Sequence, residues 1–249
     1  MDEILGRVSE RTDGVDGSTG DAVRTGGEVP RDVVVALLVL TFTTGIVDAV
    51  ALLGIGPTFV ANQTGNVVLL GFAIAGASGF SVAVTVISLL AFLAGVALGG
   101  WVGAGRGKGV RGWMTLALSI EIALLAACAV FSIGLDLNGP ELQRYVVIAM
   151  LAAAMGVRNA AVRDLAVEDL TTTTVVTMTM TGLLSDSERE GGARGPNLTR
   201  RGGAIASMLA GAVVGALLVL HVDSAVPLAL AGVCAVASLV LVMRIERPA

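Results

Sequence analysis

Charge is what this chain has least of. Only 14% of its 249 residues are Asp, Glu, Lys or Arg, where an ordinary globular domain carries about 25%. Chemistry-bearing side chains are scarce as well, with one histidine and two cysteines. Cys128 and Cys234 lie inside apolar runs without metal-type spacing, so no metal is expected, and small buried thiols need no redox role. His221, beside Asp223 at the end of an apolar run, reads as interfacial. No nucleophile and base stand together, so no enzyme and no cofactor is expected. The glycine-rich stretch from Gly103 to Gly109 fails the phosphate-loop pattern, because Val102 stands where the first glycine belongs and no hydroxyl residue follows Lys108. It reads as a basic loop attracted to anionic lipid headgroups.

Apolar surface is abundant: 55% of residues are hydrophobic and the mean hydropathy is +0.85. Lipid is therefore the expected solvent, and no nucleic-acid partner is expected. Apolar runs cover residues 33 to 53, 80 to 103, 114 to 135, 145 to 157, 203 to 222 and 225 to 243. A helix needs roughly 20 residues to cross about 30 Å of hydrocarbon. Five runs approach or exceed that length, and the fourth reaches it by continuing past Arg158 to about Val162. All six prolines fall between or at the ends of the runs, where a missing N–H costs little. Residues 1 to 30, acidic and rich in Gly, Ser and Thr, read as a disordered cytoplasmic tail; they lack the basic start and apolar stretch of a signal peptide.

Two further segments, 58 to 77 and 170 to 184, are fairly apolar, and the basic residues indicate whether they cross. Lys and Arg collect on the cytoplasmic side of short loops. Six spans with the N-terminus inside leave only Arg144 outside, whereas eight spans move Arg106, Lys108, Arg111, Arg158 and Arg163 outside. Six spans with two non-crossing segments are favoured, both termini being cytoplasmic. The halves, 31 to 135 and 136 to 249, then run oppositely, and their non-crossing segments enter from opposite faces. Gly45-Ile46-Val47-Asp48-Ala49 in the first half stands where Gly156-Val157-Arg158-Asn159-Ala160 stands in the second. Each second helix carries a ladder of small residues: Ala91, Gly95, Gly99 and Gly103, then Gly203, Ser207, Gly211 and Gly215. Such ladders let backbones approach closely in lipid. The expected fold is an all-α integral membrane protein of six transmembrane helices. It forms an inverted 3+3 repeat, with a re-entrant or broken segment after the first helix of each half and the two ladders facing each other at its centre.

The polar residues within these segments are the candidates for function. In FVANQTGNVVLLG, Gly65 permits a break or a close approach, and Asn62, Gln63, Thr64 and Asn66 either tie that break to neighbouring helices or meet a solute. In TTTTVVTMTMTGLL, Thr174, Thr177 and Thr179 are the corresponding hydroxyls. Asp48 lies about 23 Å along the first helix. A carboxylate at such depth costs at least about 2.5 to 3.5 kcal/mol unless paired, protonated or wetted, so it faces the protein, for a hydrogen bond, proton coupling or cation contact. Asn159 is its neutral counterpart. Arg158 either snorkels or pairs with Asp164 or Asp48, and Glu121 raises the same question.

The elements GIVDAVALLG, FVANQTGNVVLLG and GVRNAAVRDLAVEDLTTTTVVTMTMTGLLSD together resemble the YoaK-like family of bacterial multi-pass membrane proteins, across about residues 33 to 243. One departure is Thr177-Met178, where the family often has Thr-Gly. The resemblance implies six spans and a bacterial inner-membrane address, and implies neither substrate nor mechanism. The expected function is a small-solute transporter or channel with a site near the membrane midplane, formed by Asp48, Asn62, Gln63, Thr64, Gly65, Asn66, Asn159, Thr174, Thr177 and Thr179. The alternative is a non-transporting scaffold, sensor or partner-binding subunit that associates through the ladders. Lipid, a small solute or proton, and further copies of the chain are the partners considered.

Overall fold

A run of β-branched and aliphatic residues starting at Pro30-Arg31 forms α1, Arg31–Ala49, which continues as a π-helical turn, Val50–Ile55. Three threonines inside α1 would be awkward in lipid, but each folds its hydroxyl back onto the carbonyl one turn earlier: Thr41 to Leu37, Thr43 to Val39 and Thr44 to Leu40. Gly56-Pro57 ends the helix. The freed carbonyl of Ile55 accepts a hydrogen bond from Nε of Arg144 at 2.9 Å, so a basic side chain distant in sequence caps this helix end.

The computed structural model describes residues 30 to 104, 110 to 133, 141 to 164 and 196 to 244. After α1 come α2, Gln63–Ile74; α3, Val82–Ala104; α4, Val110–Ser132; α5, Glu141–Asp164; α6, Pro196–His221; and α7, Ala225–Arg244. Among the described residues every regular element is helical, and six helices are long and apolar enough to span a membrane. The exception is α2, whose 12 residues measure about 18 Å, short of a crossing. The acidic tail to residue 29 and the segment 170 to 184, with Thr174, Thr177 and Thr179, lie outside the described residues.

Helix pairing is set by glycine. Gly95 of α3 lies against the Ala153 carbonyl of α5, Gly156 of α5 lies against Phe92, Gly95 and Val96, and a Cβ on Gly99 would stand 2.8 Å from Cβ of Ala160. The second seam joins α6 to α1: Gly211 lies against the Phe42 carbonyl, Gly45 against Met208, Gly211 and Ala212, and a Cβ on Gly215 would stand 2.8 Å from Cα of Ile46. The ladders therefore do not face each other, as the sequence suggested. Each meets the first helix of the opposite half, because Gly45 and Gly156 give those helices small faces of their own. Gly103 lies beyond the first seam beside the Trp113 ring, and Ser207 is half-buried.

The remaining helices, α4 and α7, pack on each other; α7 also packs on α1 and α4 on α5. Ser238 of α7 reaches the Ala36 carbonyl of α1. Buried apolar residues form two clusters, one around Ile46, Val50, Leu125, Leu151 and Leu228 and one around Leu37, Trp113, Leu118 and Ala161. By contrast α2 packs mainly on α3 and leaves Val67, Val68, Phe72 and Ile74 exposed. In a membrane these side chains meet lipid.

Candidate functional site

Beyond the π-turn the chain reverses. Residues 56 to 62 return alongside α1 until Val60 and Ala61 are level with Asp48, about 10 Å back from Ile55 at helical rise. There the backbone amides of Val60 and Ala61 both donate to Oδ1 of Asp48, at 2.9 and 2.8 Å. A carboxylate holding two consecutive amides just ahead of a helix start complements the partial positive charge of that end. Asp48 is 5% exposed, and its Oδ2 has no hydrogen-bond partner among the described residues.

Asn66 closes the same reversal from the other side. Its Oδ1 accepts from the Phe59 amide at 2.8 Å and from the Thr58 hydroxyl at 3.1 Å. Its Nδ2 donates to the Phe59 carbonyl, to Oε1 of Gln63 and to Oγ of Ser88. Ser88, on α3, donates in turn to the Phe59 carbonyl at 2.6 Å, and Nε2 of Gln63 donates to the Val60 carbonyl. Asn66 is fully buried, and both ends of its carboxamide are engaged. Gly65 sits within α2; it is needed because the Phe59 ring lies on it, 2.7 Å from where a Cβ would stand. Asn62 is half-buried and Thr64 is exposed. The polar stretch is thus mostly a knot that satisfies its own buried backbone.

A second polar group lies one helical turn along α1 from Asp48. Arg158 of α5, 6% exposed, pairs Nη1 with Oε1 of the fully buried Glu121 of α4 at 2.9 Å. The same guanidinium donates to the Leu40 carbonyl at 3.3 Å, to the Thr44 hydroxyl at 2.5 Å and to Sδ of Met155 at 3.0 Å. Oε2 of Glu121 has no partner among the described residues. Arg158 therefore pairs with Glu121 rather than with Asp48, while Asp164 lies outside the described side chains; the guanidinium joins α1, α4 and α5. Sequence reasoning weighed Arg158 and Glu121 and placed neither in the site. The signal available was opposite charge inside two apolar helices, without the helix rotations needed to bring the two together.

Beside this pair is a cavity of about 50 Å³, lined by Leu37, Leu40, Thr41 and Thr44 of α1, Ala61 before α2, Phe92 of α3, and Met155, Arg158, Asn159 and Val162 of α5. Of the described residues named from sequence as pathway, Asn159 alone lines it. Asp48, Gln63 and Asn66 are not among its lining residues and are engaged in the knot. Among the described residues no group of three or more His, Cys, Asp or Glu is placed to hold a metal ion.

A protein-family model described as "Protein of unknown function (DUF1275)" matches residues 36–242. The chain is also 33% identical over 130 residues to "UPF0700 transmembrane protein YoaK" of Bacillus subtilis (strain 168). That match covers 50% of this chain and 54% of the relative, so the chain spans about half the length of the curated relative it matches. No solved structure matches. With six apolar spans and a family match covering nearly all of them, this chain is a multi-pass membrane protein that belongs to the DUF1275 family.

Proposed function

We propose that the protein is a small-solute transporter or channel with its site near the middle of the membrane. The observation that carries this reading is the cavity beside Arg158, lined by Asn159, Thr41 and Thr44. Thr41 and Thr44 stand about 15 to 20 Å along α1 from Arg31, in mid-span. Ionisable groups at such depth are costly and mark solute or ion pathways by default.

The packing supports reading the six spans as an inverted 3+3 repeat. Gly156 against Phe92, Gly95 and Val96 is the same contact as Gly45 against Met208, Gly211 and Ala212, with every spacing kept. Gly99 against Val157 and Ala160 likewise repeats Gly215 against Ile46 and Ala49. This correspondence matches Asp48 with Asn159. Residues 56 to 74, entering beside α1 and turning back without crossing, are read as the re-entrant segment of the first half. Repeats of this kind place solutes at the midplane beside broken helices. The family match favours a bacterial inner membrane, and the basic residues favour both termini cytoplasmic.

Uptake of a panel of small solutes by protein reconstituted in vesicles tests the proposal. Asn159→Ala and Thr44→Val are expected to lower flux, and Thr64→Ala to leave it unchanged. Absence of flux across a broad panel would favour the scaffold or sensor reading.

A further inference from the structure

The charges around the cavity define a ligand class. Of the described residues lining it only Arg158 is ionisable, so a cation entering would meet a guanidinium. Glu121 stands behind Arg158, outside the cavity, with Oε1 on the guanidinium and Oε2 unpartnered among the described residues. Asp48 is committed to the Val60 and Ala61 amides. Counted as ionised, the two carboxylates and the guanidinium sum to a single negative charge. Adding an anion to that total with nothing in return would bury a second one, which low dielectric makes costly.

We infer that the cavity binds a small monovalent anion together with one proton, Glu121 taking the proton as the anion takes its place against Arg158. The charge balances: a solvent proton adds to Oε2 of Glu121 and removes one negative charge, and the anion brings one. Arg158 is held in position throughout, because the Leu40 carbonyl, the Thr44 hydroxyl and Met155 grip it independently of Glu121. The hydroxyl hydrogens of Thr41 and Thr44 are already given to backbone carbonyls, which leaves the guanidinium and the Asn159 carboxamide as the donors for an anion. The cavity, about 50 Å³, admits a few heavy atoms, since a water needs about 10 to 15 Å³ of such volume. Chloride or formate fits, and a sugar acid does not. A carboxylate such as formate also matches the planar fork of a guanidinium.

Among the described residues Glu121 answers to few other groups. From α5 it faces Arg158, and beyond Arg158 stands Asp48 of α1. The neighbouring α7 offers no Asp, Glu, Lys or Arg before Arg244, Cys234 being its other titratable group, and α3 has no ionisable side chain.

The test is equilibrium binding by the full-length protein, so its outcome separates from that of the transport reading on which the inference rests. Sodium formate and sodium chloride are titrated against detergent-purified protein at acidic and alkaline pH while the melting temperature is followed, with sodium gluconate keeping ionic strength constant. Saturable stabilisation is expected at acidic pH. Above the Glu121 titration each pH unit should weaken apparent affinity about tenfold, as linkage to one proton requires. Glu121→Gln, a neutral isostere, should bind independently of pH. In weakly buffered wild-type protein, about one proton should be taken up per anion bound. Affinity that is the same at both pH values, gluconate as effective as formate, or anion binding without proton uptake would each overturn the inference. Binding with this pH behaviour but no flux would remove the transport reading and leave the site standing. Flux indifferent to both anions, without saturable binding, would do the reverse.

Discussion

Two polar groups sit one turn apart along α1 and use their hydrogen-bonding capacity in opposite ways. Around Asp48 and Asn66 it is directed to the chain's own backbone: Val60, Ala61, Phe59 and Thr58. Around Arg158 the side chains hold one another and leave a cavity. The first arrangement lets a chain reverse where no water can solvate it, and the second leaves space for something that is not protein. Polarity inside a membrane protein therefore signals a pathway only after the demands of the local backbone have been met. The sequence stretch with the most crowded polar residues turns out to be the closed one.

The contrast can be broken by mutation, most severely at the ion pair. Glu121→Ala strands a buried guanidinium and should cost about 3 to 5 kcal/mol, seen as loss of the monodisperse peak in size-exclusion chromatography. Glu121→Leu combined with Arg158→Met should recover most of that stability, and a double variant as poor as Glu121→Ala would deny that the two residues form a unit. In the knot, Asn66→Ala orphans the Phe59 amide and weakens its tie to Ser88, and should cost about 2 to 3 kcal/mol in thermal unfolding. Glycine seams are next: Gly211→Ala pushes a Cβ into the Phe42 carbonyl and should cost about 1 to 3 kcal/mol. Gly232→Ala, in open space, should fall within about 0.5 kcal/mol of wild type. The smallest effect sharpens the comparison most. Asn159→Ala should also stay within about 0.5 kcal/mol of wild type while weakening formate binding, and a stability loss matching that of Asn66→Ala would erase the distinction between knot and cavity.

Much of the fold was legible from residue order. Apolar run length and proline placement give the six spans, and a segment of Asn, Gln, Thr and Gly after α1 marks the start of a helix of only 12 residues. Asp48 had to face protein on energetic grounds alone, and it does. What it binds was not legible, because its partners are backbone amides, which every residue but proline carries. The Arg158–Glu121 pair was hidden for a different reason: it depends on the rotation of two helices about their axes, which the apolar faces of a lipid-exposed bundle specify weakly. The ladders could be recognised by spacing, but their partners could not, since a smooth strip fits any other smooth strip. Gly45 and Gly156 were the available clue, since a small residue on each of those helices gives a ladder a counter-face.

The crossed seams bear on how the protein is made. Helix α1 finds its matching surface on α6, and α3 finds its own on α5. When the first three spans leave the ribosome, two of them still lack the neighbour they are shaped for. Each can insert as an independent helix, but close packing of α1 must wait until nearly the whole chain has been synthesised. Neither half is a self-sufficient module, and the earliest-made helix is among the last to be locked in place.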